Sequence, residues 1–150
     1  MKAVVERVKS AALKANGSPF SKIKSGLLVF VGIGKEDTIK QAELLAKKIL
    51  QLRIFCDEND KMNLSAIDLN KEIMAVSNFT LFADTKKGNR PSFINAKEPD
   101  LAKKLYEHFC IELSKEVKVE TGVFGADMEI SNVCDGPVTI ILDTDVWLKR

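Results

Sequence analysis

Histidine is nearly absent from this chain: His108 is the only one in 150 residues. Any Ser-His-Asp or Cys-His mechanism would have to use it, and a lone histidine in a helical stretch more commonly sits at a surface or boundary position. Cysteine is scarce as well. Cys56, Cys110 and Cys134 are odd in number and widely spaced, which argues against a disulfide framework and fits reduced thiols in a cytosol. No CxxC or HExxH occurs, so a zinc site is not expected. Gly32-Ile33-Gly34 lacks the third glycine of a dinucleotide fingerprint and the Lys-Ser/Thr of a phosphate loop, and reads as a strand-end turn. Asp57, Glu58 and Asp60 lack the glycine and glutamate of a calcium loop and read as a solvated segment. There is no run of about 18 apolar residues, so no membrane-spanning helix is expected. The N-terminus enters a β-like alternation at once, without a signal-peptide pattern, and a cytoplasmic location is the expectation. A formal net charge of +2 is too small to imply nucleic-acid binding by itself.

What is present is an alternation of strand and helix signals. Lys2 to Val8 alternates, and Asn16-Gly17-Ser18-Pro19 is a turn that joins it to a second, weaker strand. Leu27 to Ile33 is a continuous apolar run rich in β-formers, the pattern of a strand buried on both faces. Thr38-Ile39-Lys40-Gln41 has the form of a capping box. Ala42, Leu45, Ala46, Ile49 and Leu52 follow at helical spacing. Leu52 to Phe55 reads as a short strand, Cys56 to Asn63 as a loop, and Glu72 to Ser77 as another strand. Pro99 suits the first turn of a second helix, with Leu101, Leu105, Phe109 and Leu113 at every fourth position. Val117 to Glu120, Met128 to Val133 and Val138 to Asp143 read as closing strands. With no repeat, low-complexity tract or linker, residues 1–150 read as one α+β domain. Its sheet is expected to be largely antiparallel and barrel-like, with two main helices.

Two segments carry the chemistry. Ser77-Asn78-Phe79-Thr80-Leu81 ends a strand and leads into Asp84-Thr85-Lys86-Lys87-Gly88-Asn89-Arg90-Pro91. Thr80 reads as a nucleophile, as a hydroxyl that positions water, or as an ordinary β-branched residue; with no base nearby in sequence, positioning is favoured over nucleophilic attack. Phe79 suits either stacking on an unpaired base or the core. Lys86, Lys87 and Arg90 read as phosphate contacts or as a solvated turn. The second segment is Cys134-Asp135-Gly136-Pro137-Val138-Thr139. Its Gly-Pro step is a tight turn on the simplest reading, and a place where a cis peptide is cheap.

Together these segments resemble the two signature motifs of the D-aminoacyl-tRNA deacylases. The resemblance covers nearly the whole chain. Met1-Lys2-Ala3-Val4-Val5-Glu6-Arg7-Val8 is similar to that family's first strand, and Gly26-Leu27-Leu28-Val29-Phe30-Val31-Gly32-Ile33 to its third. Thr121-Gly122-Val123-Phe124-Gly125-Ala126-Asp127-Met128 is similar to the approach to its Gly-Pro loop. Two positions depart from the pattern: Asn78 stands where the family has glutamine, and Cys134 where it has asparagine.

The resemblance implies hydrolysis of D-aminoacyl-tRNA, and of glycyl-tRNA to some extent, without metal or cofactor. It implies a catalytic segment of Ser77, Asn78, Phe79 and Thr80, and Lys86, Lys87 and Arg90 at the acceptor end of tRNA. It implies a homodimer in which a cis Gly136-Pro137 bond enters the partner's active site, braced by Arg7. There its carbonyl oxygens hold the substrate α-amino group, so that an L side chain would collide with protein. Three alternatives remain beside it at this point: a relative with a trans Gly-Pro bond, a non-catalytic RNA-binding homodimer, and an inactive structural dimer.

Overall fold

A computed structural model describes residues 1–148. Its main sheet is built around one long strand, β1 (Lys2–Ala15). β1 turns back through Asn16 and Gly17, both at positive φ, into β2 (Ser18–Ile23). This is the two-residue hairpin that an Asn-Gly pair favours. β3 (Gly26–Gly32) then pairs antiparallel with the first half of β1, while β2 takes the second half.

Helix α1 (Ile39–Leu50) crosses over to β6 (Glu72–Ser77), which lies parallel to β3. Between them, β4 (Phe55–Cys56) and β5 (Met62–Leu64) form a small separate hairpin. Helix α2 (Pro99–Ser114) crosses over to β7 (Val119–Thr121), parallel to β6. β8 (Met128–Asp143) runs antiparallel along the whole of β1, and α3 (Thr144–Leu148) ends the described chain. The sheet is therefore mixed, with three antiparallel pairings and two parallel ones. It curls toward closure: Ser21 Oγ of β2 donates to the Thr121 carbonyl of β7 at 2.9 Å, and the Lys24 N–H donates to Glu72 Oε2 at 2.8 Å.

At the centre of the sheet both faces are buried, and the residues of β3 show how. Leu27, Val29 and Val31 point to a core shared with Ala42, Leu45 and Ile49 of α1 and with Phe109 and Leu113 of α2. Leu28 points the other way, into a second core with Leu13, Ile23 and Met74 inside the curl. β1 serves both cores: alternation alone sends Val8 to the face opposite Val5, and an extra residue of β1 between Val8 and Ser10 then keeps Ala11 and Leu13 on the side of Val8. Ala3 and Val5 face the helices; Val8, Ala11 and Leu13 face the second core.

Several sequence expectations shift. The expected strand Leu52 to Phe55 begins only at Phe55, and part of the expected loop is β5. An Asx turn causes this: Asp57 Oδ1 accepts from the Asn59 and Lys61 N–H groups and folds the chain back at Asp60. The expected strand Val117 to Glu120 starts two residues later and ends one later, as β7. The two expected closing strands are one strand with an interruption. Leu101 is exposed, because the buried face of α2 runs through Ala102, Tyr106, Phe109, Cys110 and Leu113. α3 was not foreseen. It is one turn long, too short for periodicity to show, and it starts where Asp143 Oδ1 accepts from the Asp145 N–H at 3.0 Å.

Candidate active site

The parallel strands β3 and β6 end side by side. In open α/β sheets ligands bind beyond such carboxyl ends, and here a cavity of about 230 Å³ opens there. Ser77, Asn78 and Phe79 form one wall, Val31 and Ile33 another. Phe124, Gly125 and Ala126 close it from the β7–β8 connection, with Met128 at the start of β8, Lys97 ahead of α2 and Ala102 in its first turn.

The wall carrying Phe79 is shaped by a short 3-10 turn, Phe79–Phe82. It packs directly on β3 because position 32 is glycine: a Cβ there would lie 2.9 Å from Leu81 Cβ and 3.0 Å from the Asn78 carbonyl oxygen. Asn78 caps the turn. Its Oδ1 accepts from the Thr80 N–H at 3.2 Å and from Thr80 Oγ1 at 2.5 Å. The shorter amide thus has a local use here, since Asx side chains reach the backbone two residues on. The Asn78 N–H donates to the Val31 carbonyl at 2.8 Å, fixing the turn to the strand. Among the described residues the Phe79 N–H donates to no protein acceptor, so it is a free backbone donor at the cavity. The neighbouring Thr80 N–H is not free, since Asn78 Oδ1 takes it up.

Phe79 is exposed at the rim, not core, and meets Phe93 edge-on with ring centroids 4.9 Å apart. Thr80 is bonded to Asn78 and does not itself line the cavity. Its hydroxyl proton points to an amide oxygen, which is no general base. His108 lies elsewhere, half-buried where α2 meets Glu43 of α1. Lys86, Lys87 and Arg90 sit on the exposed loop that follows the turn, closed at its base by the Asp84–Ser92 bridge. None of the three is in an ion pair among the described residues.

Gly136, Pro137 and Arg7 form a separate group. Thr139 pairs with Glu6 and Cys134 pairs with Val8, so residues 135–138 bulge out opposite Arg7. The Gly136–Pro137 bond is cis, so the trans alternative does not describe this structure. Arg7 Nε donates to the Asp135 carbonyl at 2.9 Å and lies 3.3 Å from its carboxylate. Arg7 Nη1 donates to the Ile54 carbonyl at 2.6 Å, tying the bulge to the β4–β5 side. Neither Gly136 nor Pro137 lines the cavity of its own chain.

Sequence reasoning missed Lys97, Ala102, Phe124 and Met128 as lining residues. Lys97 is the charged one, its Nζ donating to the Lys35 carbonyl at 2.7 Å. Phe124 and Met128 lay inside a segment already singled out. Only the folded connection shows that they face Phe79 across the cavity.

Comparison with known proteins agrees with this architecture. A chain titled c-Myc DNA Unwinding Element Binding Protein superposes with a TM-score of 0.90 at 41% identity, covering 95% of this chain and 98% of that one. A structure titled as a probable eukaryotic D-amino acid tRNA deacylase superposes at 0.82 with 15% identity, over 94% and 97%, and speaks for the fold. The D-aminoacyl-tRNA deacylase of Thermosipho africanus (strain TCF52B) is 52% identical over 145 residues, covering 96% of this chain and 97% of its own. The family model described as D-Tyr-tRNA(Tyr) deacylase matches residues 4–143. With both signature segments inside that span, the chain belongs to the D-Tyr-tRNA(Tyr) deacylase family.

Proposed function

We propose that this protein hydrolyses the ester between a D-amino acid and the terminal ribose of tRNA, releasing both, with residues 1–150 acting as one domain. The observation that carries the reading is the cavity at the ends of β3 and β6, where a free Phe79 N–H meets an apolar slot and no acid–base pair. An aminoacyl ester is activated, and the neighbouring ribose hydroxyl can assist its cleavage. The protein need only hold the carbonyl in place and stabilise the developing oxyanion. One well-placed donor supplies about 3–4 kcal/mol of that, and the unpaired Phe79 N–H is the donor this reading assigns to the task. Ser77, Asn78 and Thr80 set the shape of the turn that carries it. Phe79 and Phe124 offer flat rings and Met128 apolar bulk for the terminal adenine, and Lys86, Lys87 and Arg90, in no ion pair among the described residues, offer charge for acceptor-end phosphates.

The working unit in this reading is a homodimer. Pro137 lies away from its own cavity, so a partner copy must bring it in. β8 carries the exposed apolar residues Val133 and Ile141, which an interface would cover. Arg7 holds the bulge so that Gly136 and Pro137 can exclude an L side chain. Glycine has no side chain to exclude, so glycyl-tRNA is cleaved too.

The test is release of amino acid from D-tyrosyl-tRNA by the purified protein, with and without EDTA. Turnover unchanged by EDTA supports the proposal. tRNA binding without turnover would favour a non-catalytic RNA-binding dimer, and neither binding nor turnover an inert one.

A further inference from the structure

Away from the reaction cavity, α1 and α2 bring three metal-binding side chains to one point. Glu43 projects from α1, and His108 and Glu112 project one turn apart from α2. His108 Nε2 lies 3.3 Å from Glu43 Oε1 and 3.6 Å from Glu112 Oε1. All three ligand atoms lie within 4.8 Å of one another. Ligands about 2.0–2.1 Å from a tetrahedral zinc ion are separated by roughly 3.3–3.4 Å. Two edges of such a tetrahedron are therefore close to formed.

We propose that Glu43, His108 and Glu112 form a site for a zinc-class divalent cation clasping α1 to α2, with the fourth position open to water. The donor set selects the class. One imidazole nitrogen with two carboxylates suits zinc and its first-row neighbours, whereas magnesium and calcium prefer all-oxygen sites. Two carboxylates from different helices converge on a single ring nitrogen, and that nitrogen has one proton at most to share between them. A cation serves all three groups at once.

The nearby charges are mixed. Lys115 Nζ lies 2.6 Å from the same Glu112 oxygen and must swing aside. Its side chain is 58% exposed, so it can do so. Lys47 and Glu116 line the adjoining groove, one opposing the cation and one favouring it. No linear motif announces the site, because Glu43 and His108 are 65 residues apart. On α2 the ligands begin six residues beyond Ala102, the helix's contribution to the reaction cavity, or about 9 Å along the axis. Metal here acts on the helix pair and leaves the reacting groups untouched.

The experiment is thermal unfolding of the full chain in chelated buffer and after addition of Zn²⁺, with zinc per chain counted by equilibrium dialysis. Wild type should gain several degrees in Tm and hold one zinc, while turnover on D-aminoacyl-tRNA stays the same. His108→Ala and Glu43→Gln should each lose the zinc-dependent rise and the bound ion while keeping their metal-free Tm close to wild type. No rise in wild type would overturn the proposal. An equal rise in His108→Ala would overturn it too, by placing the ion on the exposed thiols of Cys56 and Cys134.

Discussion

Thr80 is the residue whose chemistry is most easily misread. Its hydroxyl lies at the heart of the motif, yet it donates to Asn78 Oδ1, and no imidazole or carboxylate accepts its proton. Thr80→Ala keeps every backbone donor and should retain turnover within about tenfold of wild type, as expected for loss of one neutral hydrogen bond. Single-turnover kinetics would measure this; a trapped acyl-threonine would refute the positioning role. Arg7 makes a different demand. It reaches two carbonyls in different directions, Asp135 through Nε and Ile54 through Nη1. Lysine offers a single point of charge and cannot reproduce that fork. Arg7→Lys should therefore behave like Arg7→Ala, lowering the ratio of D to L turnover severalfold while hydrolysis of glycyl-tRNA changes less. Full discrimination in Arg7→Lys would show that the bulge does not depend on the fork.

Among the elements, β8 carries the bulge to which the proposed selectivity is assigned. Its bulge places Gly136 where a Cβ would fall 2.1 Å from the Val138 nitrogen, so only glycine fits without moving the loop. Because Pro137 does not line its own cavity, a heterodimer of a Pro137→Ala subunit and a Phe79→Pro subunit, which lacks the free N–H, should keep one selective site: the intact cavity of the first subunit served by the intact loop of the second. Tagged co-expression and D against L kinetics would show it. Loss of selectivity in that heterodimer would place the loop in its own subunit's cavity.

The same element shows what the sequence could and could not convey. Alternation identified both halves of β8, and the Gly-Pro step located its interruption. The slip that puts four residues opposite Arg7 is a property of pairing with β1, 128 residues away, and leaves no local signal. Helices α1 and α2 were legible from apolar spacing and from Pro99, since their buried faces repeat over several turns. The cavity was half legible. Ser77 to Thr80 announced itself as a motif, whereas Lys97, Phe124 and Met128 join it only through the crossover of α2 and the curl of the sheet.

For the whole molecule, the two-faced burial of the sheet has a consequence at high pH. Burial pushes the Cys110 thiol from 9.0 up to about 11, and burial likewise raises the neighbouring Tyr106 phenol well above its ordinary value. Between pH 9 and 11 the unfolded chain therefore loses these protons first. Stability is fully present below about pH 9 and falls as pH rises through that window. The thiol's share is about 2–3 kcal/mol. Denaturant midpoints across pH 8–11 should show the decline, and Cys110→Ala should flatten part of it. A constant midpoint would mean that the pocket around Cys110 and Tyr106 is wetter than the packing indicates.

The whole account rests on a cavity that positions an activated ester and a loop that rejects one enantiomer. The most direct test is single-turnover deacylation of D-tyrosyl-tRNA and L-tyrosyl-tRNA made on the same tRNA, at matched enzyme concentration. The account predicts rapid hydrolysis of the D form, with the L form left near its spontaneous rate. Equal acceleration of both enantiomers would contradict it.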